Sequence, residues 1–288
     1  MPNEPVAYYL PDPSPWPFVA AVAVLCILLG IALTVNGLFF GSVFLLGGFA
    51  LFSYMLFEWF GALAQENLTG LHNEQVDKSF RYGMLWFIAS EVFFFLSFFG
   101  ALWYIRNISV DWLGGTGYLA ATHDLLYNQF EATWPTAGPG SIGEQFTPMQ
   151  AWGVPAFNTF ILLSSGATIT WAHWGLKAEN RKLLTWGLIA TIALGLLFVF
   201  LQAIEYQEAY QHMNLTLRSG VYGSTFYVLT GFHGLHVITG AIMLSAILGR
   251  SLKGHFTPKN HFAFEAVAWY WHFVDVVWLA LFLFIYLV

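Results

Sequence analysis

Polar residues are spaced along this chain so that seven apolar stretches stand out, at roughly 17–36, 40–64, 80–105, 153–175, 184–209, 223–249 and 262–287. About 20 residues of helix cross a hydrocarbon layer about 30 Å thick, so each stretch is long enough to span a bilayer. Backbone N–H and C=O groups inside lipid must be satisfied within the segment, so apolar stretches of this length predict helices. Only a few residues around Gly37 to Gly41 separate the first two, which predicts a tight hairpin. The one long connection, 106–152, carries Gly114-Gly115, Pro135, Pro139 and Pro148, four acids and Arg106 as its base. It reads as an extramembrane loop. The expected architecture is a single all-α membrane domain over 1–288.

Ten basic residues set the expected orientation. Lys78, Arg81, Lys177, Arg181, Lys182, Arg250, Lys253 and Lys259 fall in or beside the connections between spans 2 and 3, 4 and 5, and 6 and 7. Arg106 and Arg218 fall on the other side. This positive-inside bias predicts a cytoplasmic N-terminus and a C-terminus on the outer face. The first 15 residues hold no Lys or Arg, so no cleavable signal peptide is expected.

Composition sharpens the picture. The chain of 288 residues is 58% hydrophobic and 9% charged, against about 25% charged in a soluble domain. Its net charge of -6 comes with no basic cluster that would neutralise nucleic-acid phosphates. The single cysteine, Cys26, excludes an internal disulfide and a CxxC metal site.

Polar residues inside the spans are then the candidate chemistry. In FRYGMLWFIASEVFFFLSFFG (80–100), Glu91 sits about 16 Å from the start of the stretch, near mid-membrane. A carboxyl there must be protonated, hydrated or paired. Only Ser90 and Ser97 are near it on its own span, which favours a neutral, hydrogen-bonded acid over a proton carrier. Glu58, Glu205, Glu265 and Asp275 are further acids in the spans, with His173, His233, His236 and His272. Glu265, Ala268, His272 and Asp275 share one helix face, which should point into protein. In TGFHGLHVITG (230–240), His233 and His236 also share a face, beside Gly231, Gly234 and Gly240, which permit close helix approach. The histidines suit a metal or haem site or, alternatively, interhelical hydrogen bonds. Trp16, Trp59, Trp86, Trp103, Trp171 and Trp278 fall near span ends, as interfacial anchors do. Arg250, Lys253 and His255, in GRSLKGHF, are placed to hold anionic lipid phosphates or simply to set topology.

The stretches FRYGMLWFIASEVFFF (80–95), SGATITWAHWGL (165–176), SGVYGSTFYVLTGFHGLHVITG (219–240) and FAFEAVAWYWHFVDVVWL (262–279) resemble subunit III of the haem–copper (aa3-type) cytochrome c oxidases. The resemblance implies seven helices in two bundles, a hairpin over 17–66 and a five-helix bundle over 80–288, around a V-shaped cleft filled with phospholipid. It implies a non-catalytic accessory subunit of a proton-pumping terminal oxidase. Such a chain packs on subunit I, binds phospholipids, and supports oxygen access and sustained proton uptake. It binds no haem, copper or other metal of its own. Haems a and a3 and copper belong to subunits I and II, with a small subunit IV as a further partner and cytochrome c as the substrate of the complex. The His residues become packing groups. Trp59, Phe60, Glu66, His72, Arg250, Lys253 and His255 are the implied lipid-binding residues. Glu91, His233, His236, Glu265, His272 and Asp275 are the intramembrane polar set. Gln65-Glu66 stands where the family often has Arg-Glu, and Glu58 lies outside the pattern. The long 106–152 segment looks bacterial, implying a bacterial plasma membrane. The equivalent quinol-oxidase subunit, usually of five spans, is less consistent with the first hairpin. A stand-alone transporter, receptor or metalloenzyme is the remaining alternative.

Overall fold

The computed structural model describes residues 9–141 and 146–287. The extreme N-terminus and Val288, on which the expected sidedness of the termini bears, lie outside those residues, as does Glu144 in the long connection. All regular structure among the described residues is helical.

The first two apolar stretches form α1 (Trp16–Val35) and α2 (Phe40–Leu68). Gly37, at φ +71°, ends α1. Its N–H donates to Thr34 O at 3.0 Å and the Leu38 N–H to Leu33 O at 2.9 Å. That is the Schellman pattern, which uses the left-handed conformation glycine adopts freely. The two helices then pack closely through small residues. A Cβ at Gly48 would lie 2.7 Å from the Ile27 nitrogen. Their other faces are apolar and exposed, as with Phe39 and Phe57, which suits contact with lipid.

The third stretch is α3 (Glu74–Tyr104), longer than the pattern suggests. It continues through a π-helical turn (Ile105–Ser109) into α4 (Val110–Leu113). A further short helix, α5 (Ala120–Leu126), follows. The 106–152 connection is therefore partly helical, and it is tethered. Val221 N–H and Tyr222 N–H donate to Ala137 O and Thr136 O at 3.3 and 3.2 Å, and Thr147 N–H donates to Met213 O at 2.9 Å. Trp134 and Phe146 pack their rings on Tyr222. Turn residues in the sequence give no hint of these ties, because the partners lie about 80 residues away along the chain.

The remaining stretches form α6 (Val154–Lys177), α7 (Arg181–His212), α8 (Gly220–Leu252) and α9 (Phe262–Leu281), the last extended by a π-helical turn to Tyr286. The Asn180 side chain caps α7 by accepting from Leu183 N–H at 3.1 Å. Thr168 on α6 bonds Thr191 on α7 at 2.8 Å. Phe198, Phe226, Phe264, Trp271 and Trp278 form the fully buried centre of this bundle. Among the described residues, six helices are long and apolar enough to cross a membrane. α6 carries Asn158, Thr159, Ser164, Ser165, Thr168 and Thr170 spread along its length and is not among those six. The chain divides into two compact units, one ending at Tyr82 and the next beginning at Gly83.

Candidate functional site

α9 organises the polar chemistry of the larger unit. Its predicted stripe faces α6, residue against residue along antiparallel helices. Glu265 lies by His173, with Oε1 3.4 Å from Nε2. His272 Nε2 is 3.4 Å from Thr170 Oγ1. Asp275 abuts Gly166, where a Cβ would collide with its carboxylate. Asp275 Oδ2 also lies 3.6 Å from His272 Nδ1. Indole N–H groups complete the seam: Trp271 donates to Ser165 Oγ and Trp278 to Thr159 Oγ1, both at 2.9 Å. Trp278 is thus a buried core residue and not an interfacial anchor. Its ring has a hydroxyl partner inside, which the position near a span end does not reveal. Trp59, Trp86, Trp103 and Trp171 are exposed, as anchors are.

His233 and His236 do not converge. His233 is fully buried between Phe198 and Trp278, with Nε2 3.2 Å from Val274 O. His236 turns towards α3, where its Nε2 meets Glu91 Oε2 at 2.9 Å. Positions three apart differ by about 60° around a helix, enough to address two neighbours. No common ligand set joins them.

Glu91 therefore has a partner that its own helix could not supply. Ser90 and Ser97 bond back to the carbonyls of Phe87 and Phe93. His236 Nδ1 lies 2.7 Å from Phe232 O, a group that only accepts, so Nδ1 carries a proton. Nε2 and Oε2 lie close enough to share a proton. Phe94, Phe95 and Tyr270 surround the His236 ring.

Glu205 is buried on α7. Tyr286, a residue the sequence pattern did not single out, donates its hydroxyl to Glu205 Oε1 at 2.6 Å. Tyr206 O–H and Thr230 Oγ1 lie 2.6 Å apart beside it.

The basic residues form a separate feature at the end of α8. Arg250 lies in its last turn, with the guanidinium 4.8 Å above the Phe256 ring, a cation–π contact. Arg250 Nε and His255 Nδ1 are buried without a hydrogen-bond partner among the described residues. Lys253 is exposed. Loss of water contact, with the charges of Arg250 and Lys253, holds His255 below the usual imidazole range.

In the smaller unit, His72 Nε2 lies 3.4 Å from Glu66 Oε2. Tyr9 and Phe80 pack on the His72 ring at 6.1 and 5.1 Å. Trp59 and Phe60 stack at 5.8 Å and are both exposed.

Comparison with known proteins gives these features a common context. The family model "Cytochrome c oxidase subunit III" matches residues 6–288. Cytochrome c oxidase subunit 3 of Xenopus laevis is 45% identical over 288 residues, covering 99% of this chain and 98% of the relative. The subunits of Tetraodon nigroviridis and Cyprinus carpio are 43% and 42% identical, with the same coverage. With a family match along nearly its whole length and relatives more than 40% identical, the chain belongs to the cytochrome c oxidase subunit III family, and is a membrane-spanning accessory subunit of a terminal oxidase.

Proposed function

We propose that this chain serves its oxidase by packing on subunit I, with subunit II and a small subunit IV as further partners, and by holding structural phospholipids. Haem a, haem a3 and copper sit in the partner subunits in this reading, and cytochrome c is the substrate of the complex. The observation that carries the lipid role is the Arg250–Lys253–His255 group. Two cations and an imidazole gather at this end of α8, and headgroup phosphate oxygens would pair with the exposed Lys253 and the neighbouring Arg250. Exposed Trp59 and Phe60, with Glu66 and His72, form the second lipid contact. The neutral Glu91–His236 pair, in its aromatic surroundings, belongs to the same lipid-facing role and carries no protons across the membrane. His233, Glu265, His272 and Asp275 hold the helices together.

α6 makes the seventh crossing in this proposal. Asn158, Thr159, Ser165 and Thr168 bond to neighbouring helices, so a lower apolar content suffices. Two bundles, a hairpin over 17–66 and five helices over 80–288, flank a lipid-filled cleft through which oxygen approaches. The distribution of basic residues supports an N-terminus on the positive side and a C-terminus opposite. A bacterial plasma membrane is supported by the length of segment 106–152 alone, while the relatives compared are from vertebrates.

The test is a pull-down of the tagged chain from its own membranes in mild detergent, followed by lipid mass spectrometry. A large haem-bearing subunit and a copper-binding partner should co-purify. Arg250→Gln with Lys253→Gln should lose anionic lipid from the purified complex. Recovery of the chain alone, or unchanged lipid content in the double variant, overturns the corresponding part.

A further inference from the structure

We propose that His173, His261 and Glu265 form a zinc-binding site that ties the end of α6 to the start of α9. His261 stands just before α9 and Glu265 in its first turn, four residues on and one above the other. His173 comes from the last turns of α6. The three side chains meet through three atoms. His173 Nε2 and His261 Nε2 lie 3.3 Å apart. Glu265 Oε1 is 3.4 Å from the first and 3.3 Å from the second.

The size of this triangle fits zinc. Zinc binds imidazole nitrogen at about 2.0–2.1 Å and carboxylate oxygen at about 2.0–2.2 Å in tetrahedral geometry, which places neighbouring donors about 3.3–3.4 Å apart. Square-planar or octahedral ions with bonds of about 2.0–2.1 Å need neighbouring donors only about 2.8–3.0 Å apart. Calcium would tolerate the spacing, but it takes oxygen ligands and not two imidazoles. The donor set of two His and one Glu is itself a zinc set.

The support around the triangle also fits. His261 Nδ1 lies 3.1 Å from Thr257 O, a carbonyl that fixes the proton on Nδ1 and leaves the Nε2 lone pair turned to the centre. Phe264 packs on the His173 ring with centroids 5.4 Å apart. The side chains keep 8–21% of their exposure, so a water can complete the fourth corner. Lys177 lies one turn beyond His173, and the Glu265 carboxylate offsets its charge. The span histidines, His173 among them, suit a metal site by residue type, while the family resemblance implies none; His261 is not among those candidates. The triangle takes His173 and leaves His233, His236 and His272 out.

The experiment uses the assembled oxidase, stripped with a chelator and equilibrated at fixed free Zn2+. Zinc per complex is counted by mass spectrometry, and anomalous scattering is recorded at the zinc edge. Wild type should bind one zinc more than complexes carrying His173→Ala or His261→Ala, with an anomalous peak about 2 Å from all three donor atoms. If either alanine variant fails to assemble, Glu265→Gln replaces it, since it keeps a polar side chain but removes the anionic ligand. Equal zinc counts in wild type and assembled variants, or no peak at the triangle at saturating Zn2+, overturn the proposal.

Discussion

Gly195→Ala should destabilise the larger unit by about 2–3 kcal/mol, within the range for overpacking a tight core. A Cβ at this position would lie 2.6 Å from Trp271 Cη2 and 2.9 Å from Cζ2. Carbon atoms pack best at about 3.5–4.0 Å, so the overlap approaches 1 Å. The indole has little room to retreat. It is fully buried, Gly240 on α8 abuts its other edge with a would-be Cβ 2.8 Å from Cε3, and its N–H is held by Ser165 Oγ at 2.9 Å. Moving the ring breaks that bond, worth about 0.5–1.5 kcal/mol. Helix propensity opposes this by favouring Ala over Gly by about 0.8–1.0 kcal/mol. Gly249→Ala is the control, because a Cβ there meets nothing within 4 Å, and it should be neutral or stabilising. The assay is the thermal midpoint for loss of this subunit from the purified complex. Gly195→Ala should lower it clearly, and Trp271→Phe in the same chain should recover part of the loss by removing the colliding ring. Equal midpoints for Gly195→Ala and Gly249→Ala would refute the account of Trp271 as a clamped wedge between α7 and α8.

Three further outcomes are expected. Tyr286→Phe leaves buried Glu205 without its 2.6 Å donor, so stability should fall by about 1–3 kcal/mol in the same melting assay; a loss no larger than that of an exposed Tyr210→Phe change would contradict it. His236→Phe removes the imidazole that meets Glu91 Oε2 at 2.9 Å, and should cost a similar amount while strengthening the free carboxylic-acid band of Glu91 in the infrared; a carboxylate band for Glu91 in the wild type at neutral pH defeats the neutral-acid reading. Because His255 is held below its ordinary value near 6.5, the unfolded chain takes up that proton first as pH falls, so this group costs stability below about pH 6.5 and nothing above it. His255→Gln should therefore flatten the fall in melting temperature between pH 7 and 5.5, and identical slopes in the two proteins would rule the assignment out.

The seven apolar stretches determined seven helices, nearly to the residue for α1 and α9. Lipid leaves the backbone no other partner, and local spacing alone settles that. The hairpin was legible for the same reason, since Gly37 supplies a conformation its neighbours cannot. The stripe Glu265–His272–Asp275 was legible as a face, because helical periodicity fixes which residues point the same way. Periodicity does not say which helix that face meets. Glu91 reaches His236 across 145 residues, Tyr286 reaches Glu205 across 81, and His173 reaches His261 across 88. His233 and His236, neighbours on one helix, part company for two different partners. The chain by itself determined its helices, its family and the inventory of polar groups. Which acid finds which base was decided by tertiary packing alone, because inside a membrane bundle a polar side chain bonds to whatever the adjoining helix presents at its depth.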